Sequence, residues 1–315
     1  MLLVLTTADD ATADYLCRRL HDERVRFVRL DTDHFADSGF VEYIDNEISL
    51  TFREERLNGR AIRNVWYRRP RGIVVRGRST DAQRLHTARE WATSLDGFLA
   101  EIPQLRWMNH PACNARANNK LFQLRLAPRF GLRVPETIVT RSLEEAQRFW
   151  RSHQGKIVTK PLSVGYVETL DGVMEAQILT SEVRAEHLRD PEILARCPTI
   201  LQQRVQRGVD VRVTVVDRKV CALAVSSPGR ETPVDIRQDG MSDLVYEPVS
   251  LPATVCANLL NLCHHLELRF AAVDFIRSCD DEWYFLEVNP NGQWAWLDLV
   301  GASDIARWLV DAFRS

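Results

Sequence analysis

Two carboxylates and an amide fall within one stretch that reads as a hairpin. Phe270-Ala271-Ala272-Val273-Asp274-Phe275-Ile276 and Trp283-Tyr284-Phe285-Leu286-Glu287-Val288-Asn289 are apolar runs of strand length. The polar Ser278-Cys279-Asp280-Asp281-Glu282 separates them. With Cys279 to Glu282 as a four-residue connection, Asp274 falls opposite Glu287, and alternation puts Glu287 and Asn289 on one face. A carboxylate set between Val273 and Phe275 is costly to desolvate unpaired. Two carboxylates and an amide oxygen meeting at a sheet face therefore call for a cation. Hard oxygen ligands that leave open positions suit Mg2+ carrying phosphate oxygens. The plain alternative is a half-exposed hairpin with its acids in water; the apolar strand context favours the metal.

Other residues have the character of a nucleotide cleft. Lys120 lies in Asn118-Asn119-Lys120-Leu121, and Lys160 closes the apolar run Lys156-Ile157-Val158-Thr159-Lys160 before Pro161. A lysine at an element end can aim a compact charge at phosphate oxygens, although each alone is more often a surface lysine. Ile200-Leu201-Gln202-Gln203-Arg204-Val205 reads as a strand leading out of one unit into the next. The backbone of Gln202, Gln203 and Val205 can read an adenine edge there. Asp210 is placed to accept from ribose hydroxyls, and Arg212, two residues on, shares its strand face and offers a fork of donors to phosphate charge.

Strands and helices must position these groups. Leu2–Leu5, Val25–Leu30, Ile48–Arg53 and Ala61–Tyr67 read as strands, and Ala11–Leu20 and Thr80–Ala100 as helices, giving a layered α/β unit. A second unit starts near Pro111, with a helix over Asn118–Gly131, strands over Arg133–Thr140 and Lys156–Leu162, and a helix opened by a Ser142/Glu145 capping box. A third opens at Pro198 and runs as a meander through Asp210–Val216, Val220–Ser226 and the carboxylate hairpin. The basic stretch Trp66-Tyr67-Arg68-Arg69-Pro70-Arg71 is divided between a solvated loop and an anion site. Cys256 and Cys263 share a helical face, but the flanking leucines point to packing rather than zinc.

The 315 residues carry 41 Lys and Arg against 43 Asp and Glu, so a net charge of −2 gives no reason to expect a nucleic-acid partner. No apolar run approaches bilayer length, the N-terminus lacks a signal-peptide pattern, and seven scattered cysteines suit a reduced cytoplasm.

Lys120, Lys160, Gln202-Gln203, Asp210-x-Arg212, Asp274 and Glu287-Val288-Asn289 stand in the order and rough spacing of ATP-grasp ligases, which the chain resembles over most of its length. More narrowly it resembles the microviridin-type ligases that make graspetides, side-chain-cyclised ribosomal peptides. Val65-Trp66-Tyr67-Arg68-Arg69-Pro70, Asn118 to Leu124, Asp235-Ile236-Arg237, Tyr246-Glu247-Pro248 and Glu287 to Trp294 carry that likeness, Gly292-Gln293-Trp294 most selectively. The chain departs from the family at Ile236, where an aromatic residue is frequent, and in having a single glycine after Lys160.

The resemblance implies an α/β ATP-grasp fold with an N-terminal α/β domain (1–112), a central domain (113–198) and a C-terminal domain (199–315), with nucleotide between the last two. It implies ATP and Mg2+ as cofactors, with Asp274, Glu287 and Asn289 on the metal, and a cytoplasmic enzyme forming ADP and phosphate. Arg212 and Arg237 would orient an acyl phosphate, and Asp235 is a candidate weak base. The implied partner is a ribosomal precursor peptide, leader plus core, the leader captured between Leu162 and Arg196, and a homodimer is the family's habit. An ATP-grasp ligase joining a free amino acid to a carboxylate is the rival enzyme, and a nucleotide-dependent peptide-binding protein the rival outside catalysis.

Overall fold

The computed structural model describes residues 1–77, 79–163, 165–168, 174–227, 234–235 and 243–314. The N-terminal part is built on a four-stranded parallel sheet in the order Phe27–Asp31, Leu2–Thr6, Asn64–Tyr67, Trp107–Met108. Leu2 to Leu5 are all buried, as expected of a parallel strand covered on both faces. Helix Ala11–Asp22 is capped by Asp10, whose carboxylate accepts from the backbone N–H of Thr12 and Ala13. Helix Asp81–Ala100 is capped by a Thr80/Gln83 capping box.

An antiparallel sheet of Gly39–Ile44, Glu47–Phe52 and Glu55–Asn58 is appended here, of which the sequence reading had only the middle strand. Its tight turns place Asp45-Asn46 and Arg53-Glu54 at positive φ, the two-residue geometry that matches strand twist. Neither pair is Asn-Gly or Asp-Gly, so the usual hairpin signature is missing.

The central sheet is antiparallel, in the order Ser181–Glu182, Ile157–Lys160, Thr199–Gln203, Thr137–Thr140. Helix Leu143–Ser152 packs on one face through Ala146, against Ile157, Leu201 and Leu194. Ser142 caps that helix by accepting from the Glu145 N–H. A separate two-stranded ribbon pairs Tyr166–Glu168 with Met174–Gln177. The segment expected as a single helix over Asn118–Gly131 is shorter. Asn119 turns to cap helix Lys120–Leu126, and a 3-10 turn Ala127–Phe130 follows, closed by Gly131 at φ +75°.

The C-terminal sheet has five antiparallel strands in the order Val245–Pro248, Lys219–Ser226, Arg207–Val216, Phe270–Ser278, Trp283–Asn289. Val211, Val213, Val215, Val273, Phe275, Phe285 and Val288 pack on one side against Leu259, Leu262 and Cys263 of helix Ala253–His265. Burial pushes the Cys263 thiol up to about 12, in keeping with a packing residue. Val216, Leu223 and Phe270 join Trp294, Leu297 and helix Ile305–Arg314 in a core shared with Leu2, Val4 and Leu16 of the N-terminal sheet. Among the described residues no helix is long and apolar enough to cross a membrane.

Candidate active site

The carboxylate hairpin reaches its expected register by an unexpected route. Asp274 pairs with Glu287, and Ala272 with Asn289. Near the turn, however, Phe275 pairs with Phe285, and the Ser278 N–H donates to Glu282 O, so the connection is one residue tighter than expected. The left-handed Asp281, φ +61°, closes that turn. A bulge at Leu286 restores the register between Asp274 and Phe275. Without it, Phe285 and Glu287 would share a face. The bulge lets Trp283 and Phe285 enter the core while Glu287 and Asn289 turn to the opposite side.

That side carries a charged row across three strands: Arg212 stands opposite Asp274, and Asp274 opposite Glu287. Arg212 Nη1 lies 3.1 Å from Asp274 Oδ1. The Asn289 amide nitrogen donates to Glu287 Oε1 at 3.0 Å and to Asp274 Oδ2 at 3.4 Å, so the three groups converge. An amide can present its oxygen in place of its nitrogen. The resulting set of two carboxylates and one amide oxygen has the chemistry of a Mg2+ site.

Lys120 and Lys160 approach from the central unit. Lys120 occupies the first position of its helix, where a cation opposes the helix dipole, so its place is not a gift of helix stability. Its ammonium donates to the Pro161 carbonyl at 2.6 Å and lies 3.6 Å from Glu287 Oε2. Gln123 of the same helix fixes this approach: its amide donates to Val288 O and accepts from Val288 N–H, gripping the residue between Glu287 and Asn289. Burial alone would raise the Glu287 pKa. The charges of Lys160 and Lys120, the Asn289 amide and Arg212 outweigh it and hold the carboxyl below its ordinary range.

The remaining expected residues lie around this row. Gln202 is buried and donates to Thr137 Oγ1 at 2.8 Å, whereas the Gln203 side chain accepts from the Glu136 N–H. The Arg204 N–H donates to Lys156 O as the chain passes toward buried Val205 and the strand Arg207–Val216. Asp210 lies 3.4 Å from Arg207 Nε through Oδ1, while its Oδ2 is buried and has no hydrogen-bond partner among the described residues. Burial, chiefly, with the charges of Asp274 and Asp235, pushes the Asp210 carboxyl up to about 6 against the pull of Arg207. An orphaned, buried acceptor beside the row suits a ligand hydroxyl. Asp235 is buried and accepts from the Thr180 N–H at 2.9 Å. Arg237, with Ile236, lies outside the described residues.

The basic stretch is neither a solvated loop nor an anion site at Arg68. Arg68 is 1% exposed and makes its contacts with the chain itself. It donates through Nη1 to Asn291 O and through Nη2 to Gln293 Oε1, and its Nε lies 3.4 Å from Asp10 Oδ2. Arg69 Nε donates to the same Asn291 carbonyl at 2.8 Å. The local signal was available: an arginine directly after the apolar Val65-Trp66-Tyr67 sits at the carboxyl end of a parallel strand, where such sheets open a crevice.

Residues 1–115 match the MvdD pre-ATP-grasp domain. No curated relative matches the sequence. Among solved structures, the chain is similar to macrocyclase MdnC of Microcystis aeruginosa bound with precursor peptide MdnA, at 25% identity over 100% of this chain and 99% of that one, TM-score 0.84. It is similar to a Chryseobacterium gregarium RiPP-associated ATP-grasp ligase in complex with ADP and a leader and core peptide, at 26% identity over 99% and 96%, TM-score 0.85. Macrocyclase MdnB of Microcystis aeruginosa is 28% identical over 99% and 98%, TM-score 0.80. The chain thus carries a match to the MvdD pre-ATP-grasp domain over residues 1–115 and, over its full length, has the ATP-grasp fold of these peptide-modifying ligases.

Proposed function

We propose that this chain closes side-chain rings in a ribosomally made precursor peptide at the expense of ATP. The observation that carries the reading is the row Arg212–Asp274–Glu287, with Asn289 bridging the two acids and Lys120 reaching in from the central unit. The full-length likeness to peptide macrocyclases supports it. In this reading Asp274, Glu287 and Asn289 hold Mg2+, which when bound neutralises charge on the triphosphate. Lys120 and Lys160 hold phosphates, the backbone from Gln202 to Val205 holds adenine, and Asp210 accepts from the ribose.

A carboxylate is a poor electrophile because its charge repels nucleophiles and oxide is a poor leaving group. Transfer of the γ-phosphoryl to an Asp or Glu side chain of the peptide gives an acyl phosphate. A Ser or Thr hydroxyl, or a Lys amine, of the same peptide then attacks the carbonyl and expels phosphate, leaving an ester or amide. Arg212 and Arg237 hold the acyl phosphate and its tetrahedral successor, and Asp235 or the departing phosphate takes the nucleophile's proton. Residues 1–112, 113–198 and 199–315 act as the three domains, with the leader held between Leu162 and Arg196.

Incubation of the protein with ATP, Mg2+ and a precursor peptide having Ser, Thr or Lys among Asp and Glu should remove whole water masses from the peptide. Glu287→Ala or Asn289→Ala should abolish that loss. A gain of one amino-acid mass would instead make the chain an amino-acid ligase, and binding with no mass change would leave a peptide-binding protein.

A further inference from the structure

The crevice at the carboxyl ends of the N-terminal strands lies where the strand order reverses, between Leu2–Thr6 and Asn64–Tyr67. Open α/β sheets hold their ligands at such a point. Here the crevice is filled from within the chain. Thr12 Oγ1, on the first helix, donates to Gln293 Oε1 at 2.5 Å, and Arg68 donates to the same oxygen. Arg68 and Arg69 both donate to the Asn291 carbonyl. The Asn291 amide, oriented to satisfy its neighbours, donates to Tyr67 O and Pro290 O and accepts from Asn114. Asn109 Nδ2 donates to Pro290 O at 3.0 Å. These contacts seize the turn that follows Asn289, where the Gly292 N–H donates back to Asn289 O.

We propose that Arg68 and Gln293 are positioning residues for Asn289: the N-terminal domain uses its ligand crevice as a socket that fixes the third metal-binding side chain. The inference rests on the reading of Asp274, Glu287 and Asn289 as a Mg2+ site. Its physical basis is that Asn289 ends its strand, so the ladder restrains it from one side only, while Asp274 and Arg212 lie mid-strand in the unbroken ladder between their own two strands. The turn beyond supplies the other restraint. Gly292 makes the approach possible, because a Cβ there would fall 2.2 Å from the Ala272 Cβ.

The test uses Mn2+ as a spectroscopic probe, with free Mn2+ followed by electron paramagnetic resonance in the full-length protein with ADP. Gln293→Met keeps the side-chain volume but loses the acceptor; Gln293→Glu keeps an acceptor for both Arg68 and Thr12. The expected result is Mn2+ affinity about 10-fold weaker in Gln293→Met, the scale of loss for groups that orient metal ligands, and restored to within about 2-fold in Gln293→Glu. Affinity for ADP without metal should be unchanged in both. Arg69→Ala removes one surface donor to Asn291 O and should weaken Mn2+ by about 3-fold, a shift of the same kind but below the roughly 10- to 100-fold range of groups that orient a ligand directly, whether or not Gln293→Met folds. Unchanged Mn2+ binding in Arg69→Ala and in folded Gln293→Met, with binding lost in Asn289→Ala, would overturn the inference alone. Unchanged binding in Asn289→Ala would overturn the metal reading and the inference with it.

Discussion

Arg68 with Asp10 and Arg212 with Asp274 are both arginine–aspartate pairs at the open side of a sheet, 3.4 and 3.1 Å apart. Their surroundings differ. The Arg68 side chain is 1% exposed and Asp10 is committed on every side: it accepts from Thr6 Oγ1 and caps the first helix. Burial pulls the Arg68 pKa down to about 10, further lowered by Arg69 and opposed by Asp10. The Arg212 and Asp274 side chains are 22% and 29% exposed, in a row whose other members are charged as well. The first pair is closed, and its arginine also ties the N-terminal sheet to the turn at Asn291 and Gln293. The second is open, and its charges keep partial access to solvent. The same two residue types thus serve as a fastener in one place and, in the function proposed here, as catalytic and metal-binding groups in the other, and burial separates the two.

The largest separation between them should appear in stability. Arg68→Met leaves the Asp10 charge buried and the Asn291 carbonyl short of a donor, and should cost roughly 3–5 kcal/mol in denaturant unfolding. Arg212→Met should leave stability within about 1 kcal/mol, since its partner keeps access to water. Its effect belongs to turnover: ADP formation with peptide should fall roughly 10²–10³-fold, the loss typical of a donor aimed at developing charge. Equal stability losses in the two variants would remove the distinction drawn here.

A smaller effect comes from Asp210, beside the open row. Its folded pKa, about 6, lies above the ordinary 3.8. The folded state therefore holds this proton more tightly than the unfolded state. Its contribution is favourable at low pH, and stability is lost as pH rises from about 4 through about 6. Asp210→Asn should raise the stability of the ligand-free protein at pH 7 by roughly 2–3 kcal/mol and leave it nearly unchanged at pH 4, as melting at the two pH values would show. A gain of equal size at both would mean that charge is not the cause.

The strands with continuous apolar runs were legible in the sequence, and so was the opposition of Asp274 and Glu287. That register was right although two local features were not anticipated: a turn one residue tighter and a bulge at Leu286 that compensates for it. Neither has a marker in a single sequence, because Asp281 supplies the left-handed residue without glycine. Gln123 and Arg68 were missed as working residues for a related reason. Each is polar and buried through partners distant in sequence, Val288 for one and Asn291 with Gln293 for the other. Lys120 and Arg212 were readable because their residue types stand at the ends or faces of short elements. Their pairing with Glu287 and Asp274 required the fold.

The bulge at Leu286 also sets what kinds of genetic change this strand can absorb. A strand is read two residues at a time, and Leu286 shifts that reading by one, so that Trp283 and Phe285 belong to one frame and Glu287 and Asn289 to the other. Replacing Leu286 changes one half-buried side chain. Deleting it would merge the frames: either Glu287 would be carried into the apolar interior, or Phe285 and Trp283 would be turned out of it. The position is thus tolerant in its letter and intolerant in its count.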